Sequence, residues 1–165
     1  LAYESVEVTT PLGKKQIDLP KKEIVLCSIL RAGLPLHQGL LNYFDAAENA
    51  FISAYRHHPN KDAEFEIVVE YFAAPAIENK ILLLADPMLA TGNSSSAAID
   101  LIKDKGVKMS NIKLVSLLAA PEGVKNLTKK QKGLHIFTCS LDKSLNKKKF
   151  IVPGLGDAGD RYMGT

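Results

Sequence analysis

The stretch DPMLATGNSSSAAIDL, residues 86–101, follows the apolar run ILLLA, residues 81–85. An apolar run, a turn rich in Thr, Gly and Ser, and then a helical pattern make a setting for an anion. Backbone N–H groups at the helix start, the helix dipole and the hydroxyls of Thr91 and Ser94 all favour negative charge over Ala90, Thr91, Gly92, Asn93 and Ser94. The competing reading makes Thr91 and Ser94 plain N-cap residues. No Lys follows Gly92 in a GK[ST] arrangement, which excludes a Walker A loop. Asp86 stands at the mouth of this turn and needs a partner other than the phosphate. A carboxylate accepts hydrogen bonds from hydroxyls and binds Mg²⁺. A phosphosugar carries hydroxyls a short way from its phosphate, so the loop reads as a ribose 5-phosphate site.

Two further loops carry chemistry. LRAGLP, residues 30–35, places Arg31 directly after an apolar run. It is either a snorkelling surface residue or a fork that grips a diphosphate in bidentate fashion. Arg56, in SAYRHH, ends another such run. The tail GLGDAG sets Gly154, Gly156 and Gly159 at G-x-G-x-x-G spacing. It follows Pro153 near the end of the sequence and opens no βαβ unit, so it is not a dinucleotide fingerprint. Its glycines let backbone approach a flat ligand. The apolar residues Ile151, Val152, Pro153 and Leu155 suit a docked segment.

These loops need a frame. The runs 23–29, 80–85, 112–120 and 134–141 are short, continuous and apolar, as buried strands are. Residues 50–55 read as a further strand, and 64–72 alternate like one arm of a hairpin. Helices are expected over 34–44, with Leu36, Leu40, Leu41 and Phe44 on one side, and from Ser94 to a stop at Gly106. In the latter, Ala97, Ala98, Leu101 and Ile102 form the apolar face. A polar helix is expected within 121–133, and the last stretch reads as mostly loop. Strands alternating with helices indicate a parallel sheet of the α/β class, with ligands beyond the carboxyl ends of its strands.

Composition sets the outer bounds. The 165 residues are 46% hydrophobic and 24% charged, as in an ordinary single globular domain, expected here over 1–165. No apolar run nears the roughly 18 residues of a membrane span, and the first residues show no signal peptide, so no membrane partner is expected. A net charge of +3 is too small to argue for nucleic acid. Cys27 and Cys139 lie in apolar runs and read as buried free thiols, which suits a reducing, cytoplasmic setting.

Taken together, DPMLATG at 86–92, ILRAG at 29–33 and IVPGLGDAGD at 151–160 closely resemble uracil phosphoribosyltransferases, in that family's order and from about Val6 to Thr165. The resemblance implies the type I phosphoribosyltransferase fold: a central parallel sheet flanked by helices, a β-hairpin arm and a C-terminal hood over the base. It implies pyrimidine salvage, uracil and 5-phosphoribosyl 1-diphosphate (PRPP) giving UMP and diphosphate, with Mg²⁺ bound mainly through the PRPP diphosphate. Arg31 and Arg56 would contact that diphosphate. Asp86, Pro87, Met88, Leu89 and the loop Ala90–Ser94 would hold the ribose and its phosphate. The backbones of Ile151, Gly156 and Ala158 would read the uracil edge, and Asp157 would help place PRPP or its metal. Asp86, Arg31 and Asp157 are the candidate catalytic residues. The hairpin 57–72 would cover the site or mediate subunit contact, and His57 and His58 read as loop residues. Homodimers or higher homo-oligomers and activation by GTP belong to the same implication.

Three departures stand out. The phosphate loop reads ATGNS where the family usually has ATGGS; Asn93 tolerates positive φ better than most residues, so phosphate binding is expected to survive in weaker form. Pro35 stands where many members have Gly. Family members also carry a further N-terminal segment, and residues are expected to be missing before Leu1 and between Glu4 and Ser5. Two rival readings share the fold: a phosphoribosyltransferase for another base, and a PRPP- or nucleotide-sensing regulator that binds RNA through NKKKF (146–150) and KKQK (129–132). An orotate enzyme would need a cation for the substrate carboxylate, and in the tail only Arg161 offers one.

Overall fold

A computed structural model describes residues 1–57 and 66–164. The chain opens with a two-stranded antiparallel ribbon, β1 (Tyr3–Thr10) and β2 (Gly13–Pro20). Strand β1 runs unbroken through Glu4 and Ser5. This ribbon was not anticipated. Its signal is the alternation of Val6 and Val8 with charged neighbours, Val6 opposite Ile17 and Val8 opposite Lys15, around a Pro-Leu turn.

The remainder builds one seven-stranded sheet. Its strands are β3 (Ile24–Leu30), β4 (Glu48–His57), β5 (Glu66–Ala73), β6 (Ile81–Ala85), β7 (Met88–Leu89), β8 (Ile112–Ala119) and β9 (His135–Leu141). Strands β4, β3, β6, β8 and β9 run parallel in that spatial order, and β5 pairs antiparallel with β4 at one edge. That is the expected α/β architecture, with the β4–β5 pair as the hairpin. Residues 58–65 of the expected arm, His58 among them, lie outside the described residues.

Helix α1 (Leu34–Leu41) covers one face of the sheet through Leu40, Leu41 and nearby Phe44, against Ile24, Leu26 and Leu83. Helix α2 (Asn93–Asp104) covers the other. Its buried residues are Ser95, Ser96, Ala98, Ile99 and Ile102, whereas Ala97 and Leu101 are half-buried, so the buried face is rotated from the expected one. Ile99 and Ile102 pack with Val25, Leu82, Leu84 and Leu114 in the main core. Truncating one such side chain to Ala costs about 2–5 kcal/mol. Gly106 follows the helix with φ +87°, the left-handed stop expected there. Helix α3 (Pro121–Lys130) packs against α2.

Two expectations fail at the far edge of the sheet. Strand β9 is not buried: Phe137 and Leu141 are exposed, and so is Cys139. An edge strand covered on one face still alternates apolar residues, so composition alone mistook it for an interior one. Cys27, in central β3, is fully buried. The tail is also more ordered than a loop. It contains β10 (Ser144–Leu145) paired with β11 (Ile151–Val152), and a short helix α4 (Ala158–Met163). Among the described residues no helix is long and apolar enough to cross a membrane.

Candidate active site

A cavity of about 550 Å³ opens at the carboxyl ends of β3, β4 and β6. Its wall brings together Arg31, Asp86, Met88, Ala90, Thr91, Gly92, Ser94, Ile151, Gly156, Asp157 and Ala158. Residues from three separate loops thus meet where open α/β sheets bind ligands.

Asp86 is fixed by the sheet itself. β6 and β7 share one register against β8, with Ala85 opposite Val115 and Met88 opposite Leu118. Asp86 and Pro87 are the kink between them. The Asp86 N–H donates to Val115 O at 3.1 Å, and Ser116 Oγ donates to Asp86 O at 2.6 Å. Pro87 has no N–H to spend at the kink, while its carbonyl accepts from both Leu117 and Leu118. The side chain of Asp86 accepts from Ser95 Oγ at 2.7 Å and from the Met88 N–H at 3.3 Å. Burial pushes this carboxyl above the usual range, and the two hydrogen bonds only partly offset it.

Gly92 precedes α2 with φ +78°, and no side chain caps the helix there. Among the described residues no acceptor meets the N–H groups of Ser94 and Ser95. Thr91 Oγ1 receives only the Asn93 N–H, at a long 3.4 Å. The N-cap reading of Thr91 and Ser94 therefore has little support, and the first turn of α2 keeps donors for an anion. Two glycines let α3 close against this loop. A Cβ on Gly123 would sit 2.1 Å from Ala90 O, and one on Gly92 would sit 3.0 Å from Gly123 O.

Asn93 makes no use of the positive φ that its residue type tolerates. The positive φ belongs to Gly92, and Asn93 is simply the first residue of α2. Its side chain turns to α3, accepting from Asn126 Nδ2 at 3.1 Å and Lys130 Nζ at 3.3 Å. Leu89 points into the core and Pro87 is buried, so these two support the loop from below.

Arg31 follows β3 on the loop that leads into α1. A Cβ on Gly33 would lie 2.6 Å from Ile29 O, so this turn closes only around Gly. The Arg31 side chain is exposed and reaches Asp160 at 4.0 Å. Beneath it, buried His37 links the elements: Nδ1 meets Ser28 Oγ and Nε2 meets Asn49 Oδ1, each at 2.7 Å. Arg56 lies in β4, three residues beyond Ser53, which pairs with Leu30. Its side chain, like that of His57, lies outside the described residues.

The tail forms the other wall. Asp142 Oδ2 accepts from the Gly154 N–H at 2.9 Å, which ties the glycine turn to the sheet. A Cβ on Gly154 would fall 2.2 Å from Ile151 O. Asp157 caps α4, its Oδ1 accepting from the Asp160 N–H at 3.0 Å. Gly159 lies against Ala32, so hood and Arg31 loop are in contact.

The family model for uracil phosphoribosyltransferase matches residues 1–165. The chain belongs to the uracil phosphoribosyltransferase family. It is 43% identical over 158 residues to the uracil phosphoribosyltransferase of Porphyromonas gingivalis, covering 95% of this chain and 72% of that one. Against the enzyme of Sinorhizobium fredii identity is 46%, covering 100% of this chain and 76% of the other. A solved protein of Aquifex aeolicus superposes with a TM-score of 0.86 at 36% identity, over 98% of this chain and 75% of that chain. An adenine phosphoribosyltransferase of Giardia lamblia has a TM-score of 0.54 at 22% identity, covering 74% of this chain and 71% of its own, and shows the shared fold.

Several wall residues carry no role in this cavity in the sequence reading, which gave NKKKF (146–150) only as an RNA contact of a rival regulator. Ser95, Ser53, Asp160, Lys148, Lys149 and Phe150 all line the cavity. Ser95 was hidden in the NSSS run. Lys148 and Lys149 sat in a basic run that ordinarily marks solvated surface.

Proposed function

We propose that this uracil phosphoribosyltransferase family member joins uracil to PRPP, releasing UMP and diphosphate. The observation that carries the reading is the meeting of Asp86, the uncapped start of α2, Arg31 and the glycine tail around one cavity. The N–H groups of Ser94 and Ser95 and the Thr91 hydroxyl would take the 5-phosphate. Asp86, steadied by Ser95, would accept from the ribose hydroxyls. Arg31 and Arg56 would hold the diphosphate, and Asp157 would help place PRPP. The backbones of Ile151, Gly156 and Ala158 would pair with the uracil edge.

Departure of diphosphate leaves positive charge at C1 of the ribose. Catalysis here is chiefly positioning and charge stabilisation. Asp86 below the ribose would favour that developing charge, and Arg31 would favour the leaving anion. Among the described residues no group of three His, Cys, Asp or Glu is arranged to hold a metal. Mg²⁺ ordinarily binds through one or two carboxylates together with substrate phosphates. The exposed carboxylates of Asp157 and Asp160 fit that mode, and Mg²⁺ would supply neutralising charge on the diphosphate.

Activation by GTP, a homo-oligomeric assembly and a cytoplasmic location are part of the same proposal. They rest on the family alone, and a GTP titration of the rate and a sedimentation measurement test the first two. The reaction itself is tested by UMP formation from uracil, PRPP and Mg²⁺, with Arg31→Ala as the variant expected to lose most of it.

A further inference from the structure

Lys148 and Lys149 line the cavity, and the family reading assigns them nothing. They sit on the turn between β10 and β11. The side chain of Asn146 folds this turn, its Oδ1 accepting from the Lys148 and Phe150 N–H groups at 2.9 and 3.0 Å. The backbone closes it on both sides, from Asn146 N to Phe150 O and from Lys149 N to Asn146 O, each 2.9 Å. The lysines are therefore held on an ordered turn beside Ile151.

Two observations go beyond exposure of a basic run. The first is charge. Among the described residues the wall carries three acids, Asp86, Asp157 and Asp160, and its cations are Arg31, Lys148 and Lys149. Without the two lysines the acids would dominate a cavity meant for a polyanion, and like-charged walls repel their ligand. The second is backbone. Lys149 has φ +66°, at the position of a three-residue hairpin turn that ordinarily takes Gly. A lysine in the left-handed region is costlier than glycine, and strain of this kind clusters at binding sites. Lys147, on the same turn, does not line the cavity.

We infer that Lys148 and Lys149 form a cationic clamp on the hood that binds the phosphate groups of the phosphoribosyl donor. This rests on the phosphoribosyl reading of the cavity and adds a phosphate contact to it. The clamp acts on binding, so it lowers the KM for PRPP and leaves that for uracil unchanged.

The test is calorimetric titration of PRPP with Mg²⁺ into wild type, Lys148→Ser, Lys149→Gly and the control Lys147→Ser, at low and high salt. Lys148→Ser and Lys149→Gly are each expected to weaken binding about three- to tenfold at low salt and to flatten its salt dependence, as loss of a charge-assisted contact does. Lys147→Ser is expected to match wild type. Lys149→Gly is also expected to melt no lower than wild type, since Gly takes the positive φ freely. Lost affinity in that variant then reads as lost charge rather than a damaged fold. Unchanged PRPP affinity in both cavity variants overturns the clamp. Tight PRPP binding by a wild type that turns over no uracil sinks the base assignment and leaves the clamp standing. A wild type that binds no PRPP overturns both.

Discussion

The hydroxyl of Ser95 donates to the carboxylate of Asp86 at 2.7 Å, from within the first turn of α2. One residue of α2 thereby fixes the Asp86 carboxylate at the wall of the cavity. Ser95→Ala removes the donor and leaves the carboxylate, among the described residues, only the Met88 N–H. A net loss of about 1 kcal/mol in binding or transition-state energy is expected for such a bond, seen as roughly a fivefold fall in kcat/KM for PRPP. Steady-state kinetics with PRPP varied at saturating uracil measure it.

Asp86→Asn separates function from stability. Burial makes the folded state hold the Asp86 proton more tightly than the unfolded chain, whose carboxyl keeps an ordinary value near 3.8. The stability this group contributes is greatest below that value and is lost as pH climbs toward the raised one. Above the raised value the ionised acid opposes folding. Asn keeps an acceptor for Ser95 without the charge. The variant is expected to melt higher than wild type above the raised value, with the gap closing in acid, while activity drops on the order of 10²-fold. Thermal unfolding at several pH values and a rate assay give both readouts.

Gly123→Ala tests how closely α3 must approach the phosphate loop. The new methyl would stand 2.1 Å from Ala90 O, which is backbone and cannot swing away. A destabilisation of about 1–3 kcal/mol is expected from overpacking. Because the displaced group belongs to the anion loop, KM for PRPP rises as well. Denaturant unfolding together with kinetics would show both; a change in stability alone would mean the loop tolerates the shift.

Asn93→Gly restores the family's usual loop. Asn93 begins the helix at ordinary φ and its side chain is occupied by Asn126 and Lys130. The KM for PRPP is expected to stay within about twofold, with stability lower by about 0.5–1 kcal/mol from added glycine in a helix. A large fall in KM would mean that Asn93 hinders the phosphate.

The thiols divide by exposure. Cys27 is buried, and that burial pushes its thiol up to about 12, whereas Cys139 is exposed on β9. A thiol reagent on native protein is expected to modify Cys139 alone, with Cys27 reacting only after unfolding, since the thiolate is the reactive form. Mass spectrometry of labelled peptides decides it.

The sequence showed which residues meet at the cavity more clearly than what supports them. Asp86, Arg31 and the tail glycines announce themselves because chemistry needs particular residue types at particular strand ends. Central strands β3, β6 and β8 were equally plain, since burial on both faces demands an unbroken apolar run. The contacts that crossed elements were not visible. Ser95 reads as one serine among three until the helix is wound and one hydroxyl turns toward Asp86. His37 reads as an ordinary helix position until Ser28 and Asn49 close on it. The lysines of the 146–150 turn looked like solvated charge because local sequence says nothing about which wall a turn is folded against. Strand β9 misled for the opposite reason: its composition is that of an interior strand, and only its position at the sheet edge exposes Phe137 and Cys139.

The cavity between Asp86 and the glycine tail is proposed to join a phosphoribosyl group to uracil. Product analysis with PRPP, Mg²⁺ and each of uracil, orotate, hypoxanthine and adenine tests it most directly. UMP is expected from uracil, at least about 10²-fold faster than any product from the other bases, as when a site's hydrogen-bonding groups match one base alone. A nucleotide formed preferentially from orotate, hypoxanthine or adenine, or none from uracil, would contradict it.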